Sequence, residues 1–208
     1  MEKARLFVGT FLNAGQASLV EDLKKTNTQL SQRWQLRARF VPAQKLHLTW
    51  FFIGDAEADQ IENIKADLQS AIDDWKSAKD NRTFPIQYDR LEVWSSLKSP
   101  RVLVFESTSK CPQAESLNSA ITKALLKYTP KNDKVERFKR FRPHLTVCRF
   151  SPEANRRTSE KTKRTLGDFQ LPADFFPLTH EIGSVSLIES DLNAGPNGYS
   201  SIFDIALD

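Results

Sequence analysis

Little in this chain is available for disulfide, metal or membrane chemistry. Its two cysteines, Cys111 and Cys148, have no CxxC spacing and no framework pattern, which argues against a disulfide scaffold or a zinc knuckle and leaves two free thiols. Three histidines, with no HExxH and no carboxylate-rich cluster beside them, make a metal hydrolase a poor reading, and no cofactor is expected. Glycines number seven and form no GxxxxGK[ST] loop, so an ATP-type phosphate cradle is excluded. The apolar run Leu6-Phe-Val-Gly-Thr-Phe-Leu12 is too short and too β-like for a signal peptide, and nothing else reaches membrane-spanning length. A cytoplasmic chain with no membrane partner is the expectation.

What is present fits an ordinary globular protein. With 208 residues, 39% of them hydrophobic and 27% charged, residues 1–208 are expected to form a single compact monomeric unit around a sizeable core. A net charge of +4 suits an anionic ligand through long-range attraction.

Periodicity gives the elements. Leu6–Leu12 reads as a strand, and Leu19, Val20, Leu23 and Leu30 as a helix stripe. Trp34–Phe40 alternates as a half-buried strand, and Lys45–Ile53 is a further strand ended by Gly54-Asp55. Ile61, Ile64, Leu68, Ile72 and Trp75 mark a long helix whose charged face is simply solvated. Phe84–Trp94 and Arg101–Phe105 look like two strands joined by a turn over 95–100, and a third helix is expected over Gln113–Tyr128. Arg142–Phe150 returns to strand character, and Ser151–Arg164 reads as a solvated charged loop. Glu181–Ile188 and Tyr199–Leu207 form a hairpin with a long loop. Strands arriving in adjacent pairs between helices predict an α+β fold with antiparallel sheets.

One pattern stands out from this background. His47 and His144 each open a His-Leu-Thr triplet, in Lys45-Leu-His-Leu-Thr-Trp-Phe-Phe52 and Arg142-Pro-His-Leu-Thr-Val-Cys-Arg149. Residues two apart on a strand share a face, so His47 and Thr49 project together, as do Arg142, His144 and Thr146, while the intervening leucines point the other way. Strand propensity explains one such triplet; it gives no reason for the recurrence with the same polarity. Two such strands facing each other would place two imidazoles across one polar cleft. In-line opening of a cyclic phosphodiester needs a base on one side and an acid on the other, and histidine, with an ordinary pKa of about 6.5, serves either role. His180, with no threonine following, is read as structural or exposed.

At these residues the chain resembles the two-histidine phosphoesterase superfamily, specifically the RNA 2',3'-cyclic phosphodiesterase (2'-5' RNA ligase) family. The likeness runs through Arg5-Leu-Phe-Val8, Phe52-Ile-Gly54, Pro100-Arg-Val-Leu103, Phe141-Arg-Pro-His-Leu-Thr146 with Arg149, Leu187-Ile-Glu-Ser190 and Gly198-Tyr199. It implies a bilobal fold with two antiparallel sheets, flanking helices and internal pseudo-twofold symmetry around a central cleft. It further implies His47 as proton donor to the leaving O3', His144 as proton acceptor activating water, and Thr49, Thr146 and Arg142 as substrate-binding residues. The substrate would be RNA with a 2',3'-cyclic phosphate end, or a cyclic nucleotide, opened to a 2'-phosphomonoester without metal. The same site would serve ATP-independent 2'-5' joining, and a non-catalytic RNA-binding module using Trp34 or Trp94 for stacking is the reading of a different class. Trp50 stands where a smaller residue is more usual, and is expected to point into the core.

Overall fold

A computed structural model describes residues 3–13, 15, 38–79, 82–94, 101–129, 141–150, 176–191 and 198–208. The expected helix over 19–30, the first part of the strand at Trp34, the turn at 95–100 and the charged stretch 151–164 lie outside these residues.

The strands are β1 Lys3–Phe11, β2 Ala38–Phe40, β3 His47–Glu57, β4 Phe84–Tyr88, β5 Arg90–Trp94, β6 Val102–Glu106, β7 His144–Phe150, β8 Leu178–Ile182, β9 Ser184–Ser190 and β10 Tyr199–Ala206. The α-helices among the described residues are α1, Ile61–Lys79, and α2, Pro112–Leu125, followed by a 3-10 turn over Leu126–Tyr128. One eight-stranded sheet runs β10-β9-β1-β3-β7-β6-β5, with β2 also paired to β7, and β4 and β8 form a second, two-stranded sheet. Every pairing among the described residues is antiparallel, as the adjacent strand pairs predicted.

The large sheet divides into halves at its centre. β3 and β7 meet through the single pair Leu48↔Leu145, whereas β1–β3 and β6–β7 are long ladders. Each half thus sets one triplet strand beside a neighbour that precedes it in the chain, the order that the expected pseudo-symmetry calls for.

The two faces differ in chemistry. Leu48, Trp50, Leu145 and Val147 are at most 3% exposed and enter the core, where Leu68, Ile72, Leu117 and Ile121 of the two helices join them. The helices are fastened by Trp75 Nε1–H donating to Ser116 Oγ at 2.9 Å and by the Tyr128 hydroxyl donating to Asp67. Trp50 points inward as expected, and its Nε1–H donates to Thr10 Oγ1 at 2.9 Å, so the large ring keeps its polar atom satisfied.

Besides the two strand starts, which fall at His47 and His144 and not at Lys45 and Arg142, three boundaries depart from the sequence reading. Gly54 does not end its strand: it adopts φ 96°, a conformation open to glycine, and is absorbed as an irregularity opposite Leu6, so β3 runs on to Glu57. The run Phe84–Trp94 is two strands in different sheets, broken at Asp89, whose carboxylate accepts from Thr108 N–H at 3.1 Å and from its hydroxyl at 2.5 Å. The run Glu181–Ile188 breaks likewise at Gly183, leaving β8 on β4 and only β9 to pair with β10.

Candidate active site

β3 and β7 bring the two triplets side by side. One step either side of the Leu48↔Leu145 pair, an antiparallel register sets His47 beside Thr146 and Thr49 beside His144, all four on one face. His47, Thr49, His144 and Thr146 are partly exposed while their central leucines are fully buried, which is the alternation expected of a cleft floor. Neither threonine hydroxyl has a partner among the described residues.

The imidazoles are held identically. His47 Nδ1 lies 2.8 Å from the carbonyl of Lys45, and His144 Nδ1 lies 2.8 Å from the carbonyl of Arg142, two residues back in each case. A carbonyl only accepts, so Nδ1 carries the hydrogen and Nε2 is the unprotonated nitrogen of both neutral rings.

Their surroundings are not alike. On β1 the cross-strand neighbour of His47 is Phe11, and the ring also packs against Phe7 at 4.8 Å and Tyr199 at 5.0 Å between centroids. Lys45 Nζ donates to the Tyr199 carbonyl at 2.6 Å, which pins the start of β10 against this aromatic box. Burial there pushes the His47 imidazole down to about 4; the Lys45 carbonyl opposes the shift, and the charges of Arg149 and His144 reinforce it.

On β6 the corresponding neighbour of His144 is Glu106. Its carboxylate, 3% exposed, accepts from Arg142 Nε at 2.6 Å and from Arg90 Nη2 at 2.7 Å. Burial works to raise the Glu106 carboxyl, but these two guanidinium groups outweigh it and hold it below the ordinary carboxylate range. Trp94 backs the cluster, with the His144 ring 4.1 Å from its centroid and the Arg142 guanidinium carbon at 4.6 Å. Burial lowers the His144 pKa too, while the Arg142 carbonyl and the Glu106 charge resist.

A cleft of about 450 Å³ opens beside the pair, on the His47 side. His47 and Thr49 line it together with Arg5, Arg39 and Arg149; His144 and Thr146 do not. Arg142 is fixed between Glu106 and Trp94 next to His144 and is likewise outside the lining.

Sequence reasoning passed over Glu106, whose one local signal is a carboxylate closing the apolar strand Val102–Glu106. It also passed over the box around His47, although Phe7 and Tyr199 fall within its matching segments. Trp94, an exposed stacking platform in the RNA-binding reading, is half-buried behind His144 and Arg142. His180 is fully buried, with Nδ1 3.1 Å from the Tyr88 hydroxyl and Nε2 3.1 Å from the Phe11 carbonyl, so both nitrogens are occupied structurally.

Similarities to known proteins point to one family. A family model described as the 2'-5' RNA ligase superfamily matches residues 16–194. The RNA 2',3'-cyclic phosphodiesterase of Aquifex aeolicus (strain VF5) is 30% identical over 201 residues, 94% of each chain. Among solved structures, Escherichia coli LigT complexed with 3'-AMP superposes with a TM-score of 0.67 at 20% identity over 99% of both chains. TT0787 of Thermus thermophilus gives 0.63 at 22% identity over 98% of this chain and 97% of its own. With its two triplets set on adjacent central strands, the chain belongs to the 2'-5' RNA ligase superfamily.

Proposed function

We propose that this protein is an RNA 2',3'-cyclic phosphodiesterase that opens the cyclic phosphate by two-histidine general acid-base catalysis, leaving a 2'-phosphomonoester. One observation carries the reading: two imidazoles on adjacent strands, each with Nδ1 spent on the carbonyl two residues before it, so that both Nε2 atoms serve the same face. The relative from Aquifex aeolicus bears the name of this activity.

In the proposed step, water attacks phosphorus as His144 Nε2 takes its proton, the P–O3' bond breaks, and His47 Nε2–H protonates the departing O3'. The Thr49 and Thr146 hydroxyls donate to the non-bridging oxygens, and Arg142, aimed by Glu106, offsets the charge that builds there. The cleft supports this division of roles. The donor must stand by the leaving oxygen, hence by the ribose; a nucleoside needs room, attacking water does not, and the room adjoins His47. His47 rests neutral in the empty protein, and the anionic phosphate drawn in beside it favours the imidazolium the donor role requires. No step calls on a metal or ATP. With an RNA 5'-hydroxyl in place of water the same groups would form a 2'-5' linkage, as the family's name allows, and in dilute aqueous solution hydrolysis dominates.

Among the described residues no helix is long and apolar enough to cross a membrane, and the proposal includes a cytoplasmic, monomeric enzyme. The test is turnover of a 2',3'-cyclic nucleotide, and of RNA ending in one, in excess chelator. His47→Ala and His144→Ala should each lower kcat by about 10²- to 10⁴-fold while remaining folded. Salt-sensitive RNA binding without turnover would establish the non-catalytic alternative instead.

A further inference from the structure

The cleft holds more positive charge than the two-histidine reaction uses. Arg39 on β2 and Arg149 on β7 are direct cross-strand partners, an arrangement in which like charges repel. Neither side chain has a carboxylate partner among the described residues, in contrast with Arg90 and Arg142, which both pair with Glu106. Arg5 of β1 joins them in the lining, its guanidinium carbon 4.9 Å from the Phe52 ring centroid; Asp55 is its cross-strand partner, but Arg5 forms no ion pair among the described residues. Against these three stands one acidic side chain in the lining, Asp191. Three guanidinium groups that repel one another are stabilised by an anion among them.

One of them is accounted for by the reaction. Arg149 lies on β7, the strand of His144 and Thr146, and lines the cleft beside His47 and Thr49, so it is assigned to the phosphate being opened. Arg5 and Arg39 remain for a second anion. The proposed in-line geometry puts the ribose on the His47 side, so the substrate's continuation runs into this cleft and the next anionic group along the chain is the phosphate on the ribose 5'-oxygen. The volume, about 450 Å³, lies within the roughly 300–1,000 Å³ of small-molecule sites.

Resting on the phosphodiesterase reading, we propose that Arg39 and Arg5 bind the 5'-phosphate of the terminal nucleotide, so that the site recognises a cyclic phosphate at the end of an oligonucleotide in preference to a free nucleoside cyclic phosphate. They determine specificity and take no part in proton transfer.

The experiment compares one nucleoside 2',3'-cyclic phosphate with its 5'-phosphorylated form, which adds the second phosphate and nothing else. With the unaltered protein, the 5'-phosphate should raise kcat/KM about ten-fold or more, chiefly through KM, and the advantage should shrink as salt rises. In Arg39→Gln the ratio between the two substrates should fall towards one, because loss on the 5'-phosphorylated substrate exceeds loss on the other. Equal kcat/KM for both substrates in the unaltered protein, or a fall in Arg39→Gln that is the same for both, overturns the proposal while leaving the phosphodiesterase reading intact. Absence of turnover on either substrate would sink the underlying reading and the proposal with it.

Discussion

The backbone between the members of the first triplet is gripped by a glycine on the neighbouring strand, and Gly9→Ala tests how tightly. Gly9 pairs with Thr49, and a Cβ built there would stand 2.8 Å from the Leu48 carbonyl oxygen, 3.1 Å from Ile188 Cδ1 and 3.2 Å from Phe7 Cε2. Side chains can yield; the Leu48 carbonyl belongs to the strand that carries His47 and Thr49. Relief requires β1 and β3 to separate by roughly half an ångström, an overpacking strain that typically costs about 1–3 kcal/mol. For a chain of this size that lowers Tm by about 2–12 °C. Because misplacing a catalytic group by about 1 Å costs on the order of 10²-fold, the same displacement should lower kcat on a 2',3'-cyclic nucleotide about ten-fold. Differential scanning calorimetry and steady-state kinetics on the one variant read both effects. Gly183→Ala is the control, since its nearest neighbours would be Thr83 Oγ1 and Cγ2 at 3.7 and 3.9 Å, ordinary contacts. Gly9→Ala with unchanged Tm and unchanged kcat would refute the packing argument.

Three further outcomes are expected. Both imidazoles proposed to be catalytic are lowered in the free protein, His47 to about 4 and His144 to below its ordinary 6.5, so the kcat/KM profile should peak on the acid side of neutrality, with limbs between about 4 and 6.5; a plateau extending through pH 8 would contradict it. Glu106→Gln removes the charge that holds the His144 pKa up and the acceptor that aims Arg142, so the alkaline limb should move to lower pH and activity should drop; a profile identical to the unaltered protein's would leave Glu106 a merely structural residue. His180, also lowered to about 4, binds fewer protons folded than unfolded between that value and 6.5, so stability should be full above pH 6.5 and fall as pH drops towards 4. Urea denaturation across that window should show a gentler fall for His180→Ala, which is itself destabilised by about 2–5 kcal/mol through the orphaned Tyr88 hydroxyl and Phe11 carbonyl.

How much was legible follows from the range of each interaction. The triplets' orientation could be read because alternation is a property of any strand, whatever it pairs with: His47 and Thr49 share a face by backbone geometry alone. The long helix was equally plain, since Ile64, Leu68 and Ile72 repeat at helical spacing. What escaped depends on partners far away in the chain. That Phe11 lies opposite His47 and Glu106 opposite His144 is a matter of cross-strand register, and this register gives the two imidazoles their different environments. Gly54 illustrates a local ambiguity, because a glycine after an apolar run can end a strand or bend it; the pairing of β1 on both sides of the irregularity decides for the bend. The splitting of Phe84–Trp94 turned on Asp89 reaching Thr108, a contact no periodicity announces.

The central claim is that the two Nε2 atoms act on opposite sides of one phosphorus. A crystal structure with a uridine–vanadate complex, whose five-coordinate vanadium imitates in-line displacement, measures it directly. His47 Nε2 is expected within about 3.2 Å of the apical oxygen on the ribose side and His144 Nε2 within about 3.2 Å of the opposite apical oxygen. Both rings on the same side, or either Nε2 out of hydrogen-bond reach, would contradict it.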